Sequence, residues 1–161
     1  MLPLLRGDAF EFTPYTDDAL EYIAGNLRPG DRDEVHATVG HTRYLDALRV
    51  SAIASASAIV AVSAYGEPIA VLGVTTVSVL YNIGSPWMMA TGSVAKHRRA
   101  LITAGEAYTA AMLKHYTRLE NHVDARNKAS VAWLQRLGYT IHEAQPHGAL
   151  RLPFHRFSIE R

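Results

Sequence analysis

The stretch Asn121–Tyr139, with the sequence NHVDARNKASVAWLQRLGY, predicts three consecutive elements. Asn127 stands where a helix cap belongs, since an Asn side chain can accept a hydrogen bond from a backbone N–H one turn later. Apolar residues then recur at helical spacing as far as Leu137. Gly138 supplies the left-handed residue that ends many helices. The stretch therefore predicts a strand, a helix from Asn127 to Leu137 and a second strand that begins at Tyr139.

This predicted helix has two faces with different chemistry. Asn127, Ser130 and Leu134 are spaced at i, i+3 and i+7, so they stack on one face. Taken alone, each of these features is more typical of a well-ended helix than of a catalyst. The expected apolar stripe consists of Ala129, Ala132, Trp133 and Leu137.

The composition bounds the class of protein. The chain has 161 residues, which favours a single domain over residues 1–161 with one core. Hydrophobic residues make up 48% and charged residues 19%, as in globular proteins. The net charge of +1 gives no strong attraction to nucleic acid or to an anionic membrane. The absence of Cys excludes disulfides, thiolate catalysis and Cys-metal sites.

No segment of the sequence has the pattern of a targeting signal or a membrane span. The N-terminal MLPLLRGDAFEF is apolar too briefly for a signal peptide or an anchor. The most apolar region, Ser51–Val79, is interrupted by Gly66, Glu67 and Pro68 and is rich in Ala, Ser and Thr. These features predict a soluble intracellular protein.

The rest of the chain alternates between helical and strand periodicity. A loop is expected around Asn82, Gly84 and Pro86. The predicted helices are Ala19–Leu27, a second from near Asp31 toward Val50 that Gly40 weakens, and Arg99–Tyr116. The predicted strands are Phe10–Tyr15, Ala58–Tyr65, Ile69–Val79, Trp87–Val94, Arg118–Val123, and a closing hairpin of Tyr139–Ala144 and Ala149–Ile159 with its turn at Gln145–Gly148. This order predicts a mixed sheet with helices on both faces.

The spacing of Asn127, Ser130, Trp133, Gly138 and Tyr139 resembles the closing motif of the GNAT (Gcn5-related N-acetyltransferase) acyltransferases. The predicted order of elements resembles that superfamily over nearly the whole chain. The resemblance is closest to the small GNAT-like proteins of tailed bacteriophages, which have a similar Trp-Leu pair and basic loop. It implies an α/β (α+β) fold: a mostly antiparallel sheet with a central V-shaped splay and helices on both faces.

Two features depart from the pattern of the superfamily. Many GNAT enzymes place a Tyr seven residues after the Asn, where it protonates the leaving CoA thiolate, but this chain has Leu134 there. The phosphate-binding loop of the superfamily carries two closely spaced glycines. The corresponding VAKHRRALITAG, Val94–Gly105, lacks them. The departures leave open whether the chain catalyses acyl transfer.

The resemblance implies that acetyl-CoA is the cofactor and places it in the splay. Its pantetheine would pair with backbone near Thr91 to Val94, and its pyrophosphate would lie over Val94 to Leu101. A helix N-terminus favours an anion, and cations placed there oppose the helix dipole unless an anion is bound. The alternative is a solvated basic loop. The cofactor-binding candidates are Thr91, Val94, Lys96, His97, Arg98, Arg99, Ala100, Leu101, Asn127 and Ser130.

An acyltransfer to an amine also needs a group that accepts a proton. The predicted strand Trp87–Val94 has no carboxylate, whereas the next strand offers the catalytic candidates Glu120, Asn121 and His122. Among these, His122 titrates nearest to neutral pH. Because side chains alternate along a strand, Asn121 and His122 are expected on opposite faces. A polar surface position is the alternative for His122.

Two other classes of site find little support in the sequence. The eight His residues share no recognised ligand spacing, so no metal site is predicted. The run Lys96–Arg99 could act as a phosphate clamp for nucleic acid, but the near-neutral net charge speaks against that function.

Two hypotheses therefore follow. The first is an acyl-CoA-dependent N-acyltransferase, which transfers an acetyl group to an unknown amine on a small molecule or a protein, mainly by proximity and orientation. The second is a catalytically degenerate GNAT-fold protein that acts as a binding, virion-associated or host-interaction module. The phage resemblance implies a host protein as the acceptor and a place in the host cytoplasm or the virion, and a homodimer is compatible with it. The composition and the lack of a predicted span imply no membrane partner.

Overall fold

The structure of the chain, a computed structural model, describes residues 10–161. The predicted lack of a signal peptide concerns mainly residues 1–9, which lie outside the described residues. Within the described part, the strands are β1 (Phe10–Pro14), β2 (Ser57–Ser63), β3 (Pro68–Ser78), β4 (Ile83–Ala90), β5 (Arg118–Asp124), β6 (Thr140–His147) and β7 (Leu152–Glu160). The α-helices are α1 (Asp17–Gly25), α2 (Pro29–Val39), α3 (Tyr44–Ala54), α4 (Arg98–Met112) and α5 (Lys128–Arg136).

All seven strands form one sheet in the order β1-β2-β3-β4-β5-β7-β6. Neighbouring strands are antiparallel except β4 and β5, which run parallel. This parallel pair is joined only at Ile83 with Arg118 and at Gly84 with Leu119, after which the two strands diverge. We call this gap the splay. The predicted mixed, mostly antiparallel sheet with helices on both faces is confirmed.

Each face of the sheet carries its own apolar core. One core lies under α4 and α5, and the other lies under α1 and α3. The alternation of β3 shows the division, because Leu72 belongs to the first core and Val71 to the second. The first core includes Tyr108, Met112, Leu119, Val123, Leu134 and Phe157, and the second includes Leu20, Ile23, Leu48, Ala52 and Val60.

The single helix expected from Asp31 toward Val50 is wrong, because α2 ends at Val39 and α3 begins at Tyr44. Gly40 does more than weaken the helix. It adopts φ 79°, the left-handed conformation, and its N–H donates to the His36 carbonyl oxygen at 2.9 Å. Glycine takes up this conformation without a steric cost, so it ends the helix.

The expected loop around Gly84 and Pro86 is also wrong, since both residues lie inside β4. Gly84 is needed because a Cβ there would lie 2.8 Å from the Tyr116 ring. Pro86 is tolerated because it faces the splay, where no strand requires its missing N–H. The predicted strand Trp87–Val94 therefore begins earlier, at Ile83, and ends at Ala90.

Further boundaries differ from the sequence expectations. Residues 92–97 form a 3-10 helix, and α4 ends at Met112 instead of Tyr116. The closing hairpin turns at residues 148–151 instead of Gln145–Gly148. Gly148 adopts φ 75°, and a Cβ on it would lie 2.6 Å from the Ala37 carbonyl oxygen. The turn therefore lies where the hairpin packs against α2.

The predicted stripe of α5 is confirmed for Trp133 and Leu137, which pack against the first core, and is wrong for its two alanines. Ala129 and Ala132 are exposed, while Ser130 and Leu134 are the buried residues of α5. Together with the buried Asn127, they form the face that the i, i+3, i+7 spacing predicted. The two polar residues on this face point inward and bond to Asp31 and Arg28. Gly138 adopts φ 94°, as the sequence predicted.

Among residues 10–161, no helix combines the length and the apolar character that crossing a bilayer requires.

Candidate functional site: a cavity through the splay

A cavity of about 210 Å³ lies where β4 and β5 diverge. Its lining includes Glu34 of α2 on one face of the sheet and Tyr108 of α4 on the other, so the cavity passes through the sheet. Its volume is below the roughly 300–1,000 Å³ of typical ligand pockets.

The narrow end of the splay is closed by the side-chain amide of Asn121. Its Nδ2 donates to the Pro86 carbonyl oxygen of β4 at 2.9 Å, and its Oδ1 accepts from the N–H of His122 on β5 at 2.8 Å. The amide therefore joins the two strands at the point where their direct pairing has ended. We call this arrangement the Asn121 clasp.

The wide end of the splay is bounded by the connection between α1 and α2. The Arg28 N–H donates to the Ala90 carbonyl oxygen at 3.0 Å, and the Ala90 N–H donates to Asp31 Oδ2 at 2.8 Å. Leu27 forms an isolated antiparallel bridge with Thr91. Arg28 and Asp31 thus satisfy both backbone hydrogen-bonding groups of Ala90.

Asp31 is the centre of a buried polar network, with only 1% of its surface exposed. Arg28 Nε lies 2.9 Å from Asp31 Oδ2, and Asn127 Nδ2 donates to Asp31 Oδ1 at 3.2 Å. The Arg28 guanidinium also donates to Ser130 Oγ at 2.8 Å. Asn127 therefore does not cap α5 with its side chain. Asn127 is instead bonded to the first turn of α2, and Ser130 is bonded to Arg28, the residue before that helix.

Between the two closed ends, one residue of β4 turns its peptide groups toward the splay. Pro86 and Ala90 bond on that side, and backbone groups alternate along a strand, so Met88 presents its N–H and C=O there as well. Pairing with β5 ends at Gly84, so no strand of the described chain meets this side of Met88. Met88 also lines the cavity. Its N–H is a donor directed at whatever occupies the splay.

On the opposite arm of the splay, Glu34 of α2 reaches the backbone of β5. Its Oε1 accepts from the Asp124 N–H at 2.7 Å. Burial raises the pKa of Glu34 to about 8, and the carboxylates of Asp31 and Asp124 contribute in the same direction. A carboxyl group with such a pKa can accept and release a proton near neutral pH. Since Glu34 lines the cavity, it is the strongest base candidate of the site.

An aromatic wall of residues from β5, β7 and β6 lies on the same face as Glu34. The imidazoles of His122 and His147 are stacked, with centroids 3.8 Å apart and planes inclined by 8°. His147 meets Phe154 edge to face at 5.3 Å. Burial lowers the pKa of His122, and the charges of His147 and Arg156 lower it further, against the opposing effect of Glu120. Burial also lowers the pKa of His147.

The part of the cavity on the α4 and α5 face is mainly apolar. Leu134, at the position where the superfamily resemblance calls for a Tyr, is 7% exposed and lines the cavity. Tyr108 lines it too, and its buried hydroxyl has no hydrogen-bond partner among the described residues. Burial raises the pKa of Tyr108 and raises that of Tyr139 to about 12. Both phenols therefore stay protonated at neutral pH.

The basic residues predicted near α4 lie at its N-terminus. Lys96, Arg98 and Arg99 are exposed, and within residues 10–161 none of them forms an ion pair. His97 is half-buried and meets the Phe10 ring edge to face at 5.8 Å. No side chain caps the helix. Three exposed cations thus stand at the start of α4, which follows directly on the 3-10 helix at residues 92–97.

The structure brings only some of the predicted site residues together. Asn121, His122 and Ser130 line the cavity, whereas Glu120 pairs with Arg156 at 3.1 Å outside it. Of the proposed pantetheine backbone, the Thr91 N–H donates to Ile69 at 2.8 Å and the Val94 N–H donates to Thr91 at 3.2 Å. The side chains of Val94 and Leu101 are buried in the core, and Ala100 packs against it.

Sequence reasoning missed Glu34, Asp31 and Met88. A signal was present for the carboxylates, because Asp31, Glu34 and Thr38 recur at i, i+3 and i+7 on one face of α2. Nothing in the sequence marks Met88, whose role comes from its backbone. Within the described residues, no group of three or more His, Asp and Glu side chains is placed to hold a metal ion.

No protein-family model matches the sequence, and no curated protein matches it. Solved structures are similar over nearly the whole chain. A GCN5-related N-acetyltransferase from Kribbella flavida has a TM-score of 0.67 and 17% identity over 95% of this chain and 98% of its own. A GNAT-family acetyltransferase from Bacillus anthracis gives 0.69 and 9% over 94% of each chain. The spermidine N-acetyltransferase from Vibrio cholerae, solved in complex with CoA and spermine, gives 0.65 and 14% over 94% and 95%.

These identities are low, so what the similarity establishes is the architecture. The open seven-stranded sheet, its splay between β4 and β5 and the helices on both faces are those of GNAT acetyltransferases. This chain therefore has the GNAT fold.

Proposed function

We propose that the protein is an acyl-CoA-dependent N-acyltransferase, with acetyl-CoA as the acyl donor and an amine as the acceptor. The observation that carries the proposal is the unpaired peptide of Met88, which faces the same cavity as the Glu34 carboxyl. A donor directed at a carbonyl oxygen and a base with a pKa of about 8 are the two groups that acyl transfer to an amine requires. The GNAT fold and the CoA complex of a structural relative support the same reading.

When bound, an acyl-CoA supplies an activated carbonyl carbon and a thiolate leaving group. The Met88 N–H would hold the carbonyl oxygen, where negative charge develops during the reaction. Lys96, Arg98 and Arg99 would hold the phosphates beside the N-terminus of α4. Asn127 and Ser130, which the resemblance assigned to the cofactor, bond to Asp31 and Arg28 and hold the start of α2.

The amine nitrogen would attack the carbonyl carbon directly. The C–N bond forms, the C–S bond breaks, and Glu34 takes the proton that the amine loses. Water protonates the thiolate, because Leu134 has no proton to give. His122 lines the same cavity, and burial lowers its pKa, which favours the neutral imidazole. Asn121 holds the two strands at the required separation.

A second candidate function is a GNAT-fold binding module without catalysis, either virion-associated or directed at a host protein. The specific observation in its favour is that the peptide of Ala90 and the side chains of Asn127 and Ser130 all have partners within the chain. A bacteriophage origin, a host protein as acceptor, a location in the host cytoplasm and a homodimer belong to the proposal through the sequence resemblance alone.

Calorimetric titration with acetyl-CoA, followed by a thiol-release assay with amines, tests the proposal. We expect binding in the range of about 1 μM to 1 mM that is usual for enzyme substrates, and release of CoA when an acceptor is present. Absence of binding at millimolar acetyl-CoA would contradict the proposed N-acyltransferase function. Binding without turnover against amines and cell lysate would favour the binding module.

A further inference from the structure

Two polar groups that belong to the cavity wall have no hydrogen-bond partner among the described residues. They are the hydroxyl of Tyr108 and the indole N–H of Trp133, and both residues line the cavity. Tyr108 is only 8% exposed, and the Nε1 atom of Trp133 is buried. A buried donor without a partner loses its hydrogen bonds to water on folding and gains none in return, so such groups are rare in proteins. Two of them in one cavity indicate that the cavity binds a hydrogen-bond acceptor.

The packing of α5 on α4 brings these two residues into the same wall. A Cβ on Gly105 of α4 would lie 2.8 Å from Cζ2 of Trp133, so the edge of the indole that carries Nε1 rests on the α4 backbone. Tyr108 follows Gly105 by three residues, and residues at that spacing share one face of a helix. The phenol and the indole are therefore both held on the surface that α4 and α5 present to the cavity.

The chemistry of the two groups restricts what they can bind. An indole N–H can only donate a hydrogen bond. Burial raises the pKa of Tyr108, so its hydroxyl keeps its proton at neutral pH. Among the described residues that line the cavity none is a Lys or an Arg, and a buried anion without a cation is costly. The matching group on a ligand is therefore an uncharged acceptor, such as a carbonyl oxygen.

The position of Tyr108 along α4 indicates which substrate supplies this oxygen. The proposed phosphate site lies at the start of α4, and Tyr108 lies about 15 Å further along the helix, at ~1.5 Å per residue from Arg98. An acyl-CoA with its phosphates at that site and its thioester in the splay extends toward Tyr108. Glu34, the proposed base for the amine, comes from α2 on the opposite face of the sheet.

We infer that the Tyr108 hydroxyl and the Trp133 indole N–H bind an uncharged carbonyl oxygen of the acyl-CoA. This inference rests on the proposed function. Two kinds of oxygen have the required chemistry. One is the thioester carbonyl, which has a second lone pair beside the one that would meet the Met88 N–H, and the other is an amide carbonyl of the pantetheine arm. The two donors supply cofactor contacts that Asn127 and Ser130, which are bonded within the chain, do not.

Tyr108→Phe and Tyr116→Phe are a matched pair of variants that test the inference. Both tyrosines are 8% exposed and belong to the first core, but Tyr116 is not among the cavity-lining residues, and its hydroxyl lies 2.7 Å from Thr76 Oγ1. We expect Tyr108→Phe to raise the acetyl-CoA Kd about three- to tenfold, as the loss of one hydrogen bond does, and Tyr116→Phe to leave the Kd unchanged. Calorimetry measures both values.

The stability of the same two variants should change in the opposite order. Tyr108→Phe removes a hydroxyl that has no partner in the free protein, so its midpoint in urea should not fall. Tyr116→Phe breaks a hydrogen bond and leaves Thr76 without its partner, so its midpoint should fall. A midpoint for Tyr108→Phe that falls as far as that of Tyr116→Phe would show that the hydroxyl already has a partner in the free protein, and it would overturn the inference.

Acetyl-CoA and free CoA distinguish the two kinds of oxygen. If Tyr108→Phe weakens the binding of both ligands equally, the oxygen is an amide carbonyl of the pantetheine arm. If it weakens only acetyl-CoA, the oxygen is the thioester carbonyl. Trp133→Phe removes the second donor and should weaken acetyl-CoA binding as well; an unchanged Kd in this variant would contradict the role of the indole.

The outcomes separate this inference from the proposed function. If the wild-type protein binds neither acetyl-CoA nor CoA, the proposed function fails and the inference fails with it. If the wild type binds acetyl-CoA and Tyr108→Phe binds it equally well, only the inference is overturned.

Discussion

Asn121 donates from its side chain to the carbonyl oxygen of Pro86, across 2.9 Å, at the position where β4 and β5 stop pairing. Pro86 has no N–H, so a strand continuing alongside it would lack one of its ladder bonds. The Asn side chain instead meets the lone acceptor of Pro86 and the N–H of His122. One side chain thereby bridges β4 and β5 where they begin to diverge.

Replacing Asn121 tests the clasp. Asn121→Ala leaves the Pro86 carbonyl and the His122 N–H without partners, so we expect the free energy of unfolding to fall by about 1–3 kcal/mol. We also expect kcat to fall more than acetyl-CoA affinity, since Met88 would lose its fixed position. Urea denaturation and steady-state kinetics measure the two effects. Asn26→Ala removes one exposed Asn bond away from the cavity and serves as the control; equal effects in the two variants would contradict the clasp.

Glu34→Gln tests the base. We expect kcat to fall by about 10²–10⁴, as for the loss of a general base. In the wild type, kcat/KM should rise with pH until about 8, where Glu34 becomes ionised. The exposed Glu21→Gln on α1 is the control. A wild-type pH profile that is flat between pH 6 and 9 would show that another group accepts the proton.

The same substitution predicts an effect on stability with a definite sign. The pKa of Glu34 is raised from its ordinary value of 4.5 to about 8 in the folded protein. Between these values only the unfolded chain ionises, so the wild type loses stability as the pH rises. Glu34→Gln should therefore stabilise the protein at pH 8 by a few kcal/mol, at ~1.4 kcal/mol per pKa unit, and have little effect at pH 4. Thermal unfolding at both pH values measures the difference; equal shifts would contradict it.

Removing the cations at the start of α4 should change affinity and stability in opposite directions. In Arg98→Ala/Arg99→Ala, we expect acetyl-CoA affinity to fall about tenfold, or ~1.4 kcal/mol. Its dependence on salt should weaken as well. The free protein should become more stable by about 0.3–1 kcal/mol per charge, because these cations oppose the helix dipole. Calorimetry and denaturation supply the two readouts. Arg32→Ala, exposed on α2, is the control and should change neither quantity. Unaltered acetyl-CoA affinity in the double variant would contradict a phosphate site at the start of α4.

Of two ion pairs, the one with the shorter distance should contribute less to the free energy of unfolding. Arg49 lies 2.6 Å from Asp17 at the surface, and Arg28 lies 2.9 Å from Asp31, which is buried. Arg28→Ala leaves a buried carboxylate without its cation, so we expect a loss of about 3–5 kcal/mol in urea denaturation. Arg49→Ala should cause no measurable change, because solvent screens an exposed pair. A larger loss for Arg49→Ala would contradict the role assigned to Asp31.

The sequence by itself determined most of the architecture, because local patterns encode it. Alternating residues predicted the strands, and the spacing from Asn127 to Tyr139 predicted α5, its end at Gly138 and the likeness to GNAT acyltransferases. Boundaries were missed where a distant contact decides them. The sequence predicts a loop at Gly84 and Pro86, yet both lie in a strand. Gly84 leaves room for the Tyr116 ring, and Pro86 has no neighbouring strand that would need its missing N–H.

The site depended far more on tertiary structure. Asn121 and His122 could be proposed from the sequence, but the partners that define them come from β4 and β6. Glu34 becomes a base candidate only because folding buries its carboxyl beside β5, about ninety positions along the chain. Met88 could not be found from side chains at all, since its contribution is a backbone N–H. Whether that N–H is paired depends on where two strands separate, and the separation is a property of the assembled sheet.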